Sequence, residues 1–271
     1  MLSYEFMRHA FVAAGIVAVL AGPVGYFMVL RGQSFAGHAL AHVGFTGATG
    51  AMLLGLPPLS GLVSLTLLAG VGMGLLGERL AHRDVAVGMV LALSLGFGLL
   101  FLHFFTAFAT TASALLFGNV LAVDLATIWV LGGIGLVSLG GLALITRPLL
   151  FASVQPEVAE ARGVNLRLVS VLFVAIVALT TAACAQIVGV LLVFTLMVGP
   201  AAAAQNLTCR VSTGVALAAL LAGVQAWAGI ALAYATDWPV SFWISLLSAA
   251  IYLFTLLPRP LPVPIRSGLP G

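Results

Sequence analysis

The chain has 271 residues, of which 62% are hydrophobic and only 6% charged, with ten basic residues, all arginine, against seven acids. A soluble domain carries about 25% charged residues, so this set cannot build a water-exposed surface. Backbone in lipid must satisfy its own hydrogen bonds, which makes the chain all-α, a polytopic bundle of membrane helices. The net charge of +3 is no nucleic-acid footprint, because the arginines are scattered in ones and twos.

With charges so rare, the gaps between them measure the spans, each needing about 20 apolar residues. Arg8 to Arg31 holds one crossing, too long and too poor in small residues at a cleavage site to be a signal peptide. Arg31 to Glu78 holds two, broken at Leu56-Pro57-Pro58. Asp84 to Asp124 is too long for one and barely enough for two. Asp124 to Arg147 fits one, Arg167 to Arg210 fits two with a reversal near Ala185-Gln186, and Arg210 to Asp237 and Asp237 to Arg259 fit one each. Cys184 and Cys209 fall near opposite ends of one such span, which argues against a disulfide.

Arginine bias decides the ambiguous gap. With a single crossing there, Arg31, Arg79, Arg83, Arg147, Arg162, Arg167, Arg210, Arg259 and Arg266 share one side and only Arg8 is opposite. The positive-inside rule then predicts about nine transmembrane helices, the N-terminus outside and the C-terminus in the cytoplasm. Residues 106–123, TAFATTASALLFGNVLAV, are left outside or re-entrant. The membrane domain covers 1–257, and 258–271 is a Pro-rich cytoplasmic tail expected to be disordered. Glycines at 44, 47 and 50, at 70, 72, 74 and 77, and at 132, 133, 135, 140 and 141 suit close helix packing. They serve either the packing of the chain itself or a dimer interface.

Charge collects in one inner loop, 147–167, RPLLFASVQPEVAEARGVNLR. Pro156 suits a first helical turn, Glu157 and Glu160 sit near its positive end, and Gly163 after Arg162 suits its close. The pattern predicts a short helix of about two turns within 155–164, either a solvated connector or a docking element for a cytoplasmic partner.

His38 and His42, in SFAGHALAHVGFT, lie at i and i+4 on one helix face, about 5–6 Å apart. Neutral imidazole ligates zinc, and ionisable groups at membrane depth mark a pathway. The alternative is packing, with both rings hydrogen-bonded to backbone or Ser/Thr neighbours. His103, in FLHFF near the outer end of its span, belongs to an entry mouth or to interfacial packing. His9 reads as an interfacial anchor and His82 as a loop residue.

Read in order over roughly residues 30–205, several segments resemble the permease subunits of bacterial zinc and manganese ABC importers. SFAGHALAHVG resembles that family's second-helix motif, DVAVGMVLALSLGFG its fourth helix and LLFGNVLAVD its outer Phe-Gly-Asn motif. QPEVAEARGV resembles its coupling helix, with Gln155 in place of the usual Asp, and QIVGVLLVFTLMVGPAAAA its Pro-Ala-Ala core region. The resemblance implies a type II ABC importer permease fold, a homodimer in the bacterial inner membrane, cytoplasmic ATP-binding subunits and a periplasmic or lipid-anchored metal-binding protein. It implies that Gln155, Pro156, Glu157, Glu160, Arg162 and Gly163 form the ATPase-coupling element, and that positions 38 and 42 line the translocation path. His38 stands where the family usually has Asp. Two imidazoles suit zinc better than manganese, so Zn2+ is the expected cargo, transported and not permanently bound. Manganese or iron is the alternative, as is a secondary metal carrier.

Other classes fit less well. An intramembrane metalloprotease needs His-Glu-x-x-His, and Ala39 stands at the second position. A chain without lysine has no G-x-x-x-x-G-K phosphate loop, so it is not itself the ATPase. Proton-driven carriers keep buried carboxylates, whereas all seven acids lie at predicted ends or loops. A siderophore or cobalamin permease would lack the histidine pair.

Overall fold

Eleven α-helices in chain order make up the fold in a computed structural model that describes residues 4–76, 83–105, 108–118 and 120–257. They are α1 (Glu5–Leu30), α2 (Ser34–Leu53), α3 (Pro58–Leu76), α4 (Arg83–His103), α5 (Phe108–Phe117), α6 (Leu125–Val154), α7 (Pro156–Ala161), α8 (Leu166–Val188), α9 (Val190–Leu207), α10 (Val211–Thr236) and α11 (Val240–Leu256). A 3-10 turn, Val120–Ala122, precedes α6. The described residues contain no strand.

The expected count of about nine is of membrane-crossing helices, a narrower class than these eleven helices of all lengths. Six of the described helices, α1, α3, α6, α8, α9 and α10, are long and apolar enough to cross a membrane. The excess over nine includes α5 and α7, whose ten and six residues are too short to span. α2 has the length, but histidine, serine, threonine and glycine dilute its apolar character. The expected turn at Glu78–Asp84 lies largely outside the described residues, as do Thr106, Ala107, Asn119 and the 258–271 tail.

Helix ends follow local rules. α1, α2 and α7 each close on a glycine with positive φ: Gly32 (63°), Gly55 (74°) and Gly163 (82°). At each, two backbone N–H groups fold back onto the last turn in the Schellman pattern, as Gln33 N to Met28 O (2.9 Å) and Gly32 N to Val29 O (3.0 Å) show for α1. α6 and α8 open on side-chain caps. The Asp124 carboxylate accepts from Thr127 N and the Asn165 carbonyl from Leu168 N, both at 3.0 Å. Hydrogen bonds from Thr127 hold the Asp124 carboxyl below the usual carboxylate range.

The core forms where α1 and α8 meet α2 and α9, and all four are buried along much of their length. α4, α6 and α11 turn apolar faces outward, with Met89, Leu136, Leu144 and Phe254 at 69%, 79%, 84% and 73% exposure. Such a girdle would aggregate in water and suits lipid. α2 and α3 touch backbone to backbone where Gly47 meets Gly61, leaving no room for a Cβ on either. Gly72, Gly132, Gly133 and Gly140 meet nothing within 4 Å, so those glycines are not used to pack this chain on itself. Gly47→Val should therefore destabilise the protein by at least about 1–3 kcal/mol, as overpacking does. Gly133→Val should leave the detergent melting temperature nearly unchanged, and equal melting of the two variants would contradict the packing described.

The reversal expected near Ala185-Gln186 is replaced by a break at Gly189. α8 continues to Val188 because Gly189 N still donates to Ala185 O (3.0 Å). Gly189 then takes φ 81°, ψ 159°, a conformation essentially reserved for glycine. Gly118 (φ 75°), at the end of α5, lies directly against Gly189, so a side chain on either would collide with the other's backbone.

Candidate metal path and coupling element

α2 carries both histidines into the middle of the bundle. Its N-terminal end follows the Gly32 cap of α1, and it packs against α3, α4, α8 and α9. The His38 and His42 ring centroids are 4.8 Å apart and nearly perpendicular (83°). His42 is buried; His38 is half-buried. Phe35 lies 6.5 Å from His38 on the same helix, and Phe194 of α9 stands edge-on to it at 5.5 Å.

The Nδ1 atoms of both rings are buried without a hydrogen-bond partner. A packing role requires the rings to be satisfied by backbone or by nearby hydroxyls, and those hydroxyls are engaged elsewhere. Thr46 Oγ1 donates to His42 O or Ser94 O, and Thr49 Oγ1 to Phe45 O or Thr46 O. A buried polar atom left unpaired costs about 1–3 kcal/mol. Two such nitrogens on adjacent rings are chemically suited to a divalent cation that arrives as substrate. No group of three or more His, Cys, Asp or Glu side chains is arranged to hold a metal among the described residues.

The structure does not join His103 to this pair. It is exposed at the end of α4, and its described ring contact is Phe104, at 5.9 Å. His9, on α1, is half-buried. His82 and Asn119 lie outside the described residues.

α7 falls within the stretch expected to hold a short helix of about two turns, and has six residues. Pro156 occupies its first turn, Gln155 precedes it without a side-chain cap bond, and Glu157 and Glu160 are exposed. Ala159 is fully buried and pins the helix to the bundle. Arg162 lies over the Phe151 ring at 5.8 Å, and Gly163 (φ 82°) closes the turn through Gly163 N to Glu160 O (2.8 Å) and Val164 N to Ala159 O (3.0 Å). One face is thus anchored and one acidic face is left outward.

Three features here were not singled out from the sequence. Phe194 sits among ordinary apolar residues, with no signal that it reaches a histidine. Ala159 carries no chemical label. Arg31, a mere span marker in the sequence, donates from Nη1 to Ser153 Oγ (3.1 Å) and lies over Phe173 at 5.5 Å. It ties the end of α1 to α6, just before the α7 loop, and to α8. Its isolation at a predicted helix end was the available signal.

The profile of the ABC 3 transport family matches residues 3–259. The chain is 31% identical over 257 residues to the manganese transport system membrane protein MntC of Halalkalibacterium halodurans, covering 94% of this chain and 87% of that protein. It is 27% identical over 258 residues to the manganese import system permease protein ScaB of Streptococcus gordonii, covering 95% and 92%. The solved structure of PsaBC from Streptococcus pneumoniae in complex with Fab is similar with a TM-score of 0.84, at 25% identity, covering 95% of this chain and 93% of that one.

Proposed function

This chain belongs to the ABC 3 transport family, and from that premise we propose that it is the permease of an importer that carries a divalent metal ion across the cell membrane. It is a transport subunit and not an ATPase. With no lysine it lacks a phosphate-cradling loop, and ATP hydrolysis falls to a separate subunit. The observation that carries the reading is the His38–His42 pair, with both Nδ1 atoms buried and unpartnered, in a chain matched to metal-transport permeases along nearly its whole length.

Manganese is better supported as cargo than the zinc expected from two imidazoles, because the relatives named above are manganese systems. Zinc rests on donor chemistry alone: His38, a nitrogen ligand, replaces a carboxylate. In this reading α2, α4 and α11 cross the membrane together with the six longer apolar helices, with the N-terminus outside and α7 in the cytoplasm. Two copies of the chain face each other across the path. ATP-binding subunits engage α7, and an extracytoplasmic metal-binding protein delivers the ion to the outer mouth. His103 stands near that mouth. The ion then passes His38 and His42, held by two nitrogens and water, weakly enough to leave.

The test is uptake in proteoliposomes containing the chain, its cognate ATPase and its binding protein, with manganese, zinc and iron compared. ATP-dependent manganese uptake exceeding zinc is the expected result. Zinc uptake exceeding manganese would restore the zinc reading, and uptake of neither, nor of iron, would overturn the function.

A further inference from the structure

Phe194 is the described α9 residue whose ring reaches the imidazole pair. Its ring stands edge-to-face on His38, with centroids 5.5 Å apart and planes at 79°. The other rings around His38, Phe35 and His42, belong to α2 itself. The neighbouring helix therefore presents His38 with an apolar ring and not with a ligand. Phe194 remains 37% exposed, so it borders open space as well as the imidazole.

The backbone beneath this ring is held from behind. The Thr195 carbonyl accepts from Ser248 Oγ of α11 at 2.9 Å and from Gln225 Nε2 of α10 at 3.5 Å. Gln225 is completely buried. Two helices thus hold the turn that carries Phe194, and the ring is a preset part of the site.

We propose that Phe194 is a positioning and affinity-limiting residue of the metal path. Its ring orients the His38 imidazole and fills the place from which a third protein ligand would approach. The passing ion keeps two protein nitrogens and stays exchangeable. A closed site with a full set of protein ligands holds zinc structurally, whereas a conduction site must bind weakly enough to release. This inference rests on the His38–His42 path proposed above.

The test uses the complete transporter in proteoliposomes with Phe194→Leu, Phe194→Tyr and Phe194→His, measuring manganese and zinc uptake. Phe194→Leu removes the ring and should raise KM about tenfold, as loss of a residue that orients a metal ligand does, with maximal rate changed less than about twofold. Phe194→Tyr, which keeps the ring, should return KM toward the wild-type value. Phe194→His adds a third imidazole beside His38, so the detergent-purified protein should retain about one zinc ion per chain after desalting. Unchanged KM in Phe194→Leu, an equal rise in Phe194→Tyr, or no more zinc on Phe194→His than on wild type would each overturn the inference. If Phe194→Leu does not assemble, the tyrosine and histidine variants decide. A His38→Ala, His42→Ala double variant that transports normally would instead overturn the path itself.

Discussion

Metal uptake by a His38→Ala, His42→Ala double variant is expected to fall to background, while membrane insertion and assembly with the ATPase stay normal. The rings are 4.8 Å apart, and both Nδ1 atoms are buried without partners. Unsatisfied buried nitrogens add no stability to the free protein, so their removal should not unfold it. If the pair ligates the ion as proposed, each single substitution removes one of two nitrogen ligands and should lower uptake at least about 10–100-fold, the range that applies even to outer partners of metal ligands. A packing role predicts the reverse, namely retained uptake with a lowered melting temperature. His38→Asp adds an oxygen ligand and a negative charge, and should raise manganese uptake relative to zinc. A ratio that moves toward zinc would contradict the ligand role.

Charge reversal of the outward acids on α7 has the second largest expected effect. Glu157→Arg, Glu160→Arg should leave the permease inserted and folded but strongly reduce its co-purification with the ATPase. Both acids are exposed, so their loss costs the fold little, and the helix is anchored by Ala159 and by its glycine cap, which the substitutions leave in place. At an interface, replacing an attraction by like-charge repulsion costs several kcal/mol. Co-purification at wild-type stoichiometry would remove α7 from the ATPase contact. Arg31→Ala loses the hydrogen bond to Ser153 and the stacking on Phe173. It should loosen the base of the same loop and lower ATP-driven uptake with assembly intact. Unchanged uptake would show that transport does not depend on this tie.

Much of this chain could be read residue by residue along the sequence. The scarcity of charge placed it in lipid as a helical bundle, because unsatisfied backbone is excluded there. Pro156 and Gly163 bracketed a short helix, since a cap is completed within one turn of itself. The spacing of His38 and His42 put both rings on one face through the helical period alone.

Other features depend on which helix faces meet, and no local pattern encodes that. Gly189 is one apolar-segment glycine among many until Gly118, at the end of another helix, lies against it. The break then falls there and not near Gln186. Arg31 and Ser153, 122 residues apart, become one tie only when α1 and α6 are packed. Whether two imidazoles are satisfied or orphaned is likewise decided by Thr46 and Thr49, which spend their hydroxyls on backbone carbonyls, and by Phe194, which brings a ring from α9. Composition, period and caps are properties of neighbouring residues. Ligand availability is a property of the packed interior, where hydrogen bonds compete in three dimensions.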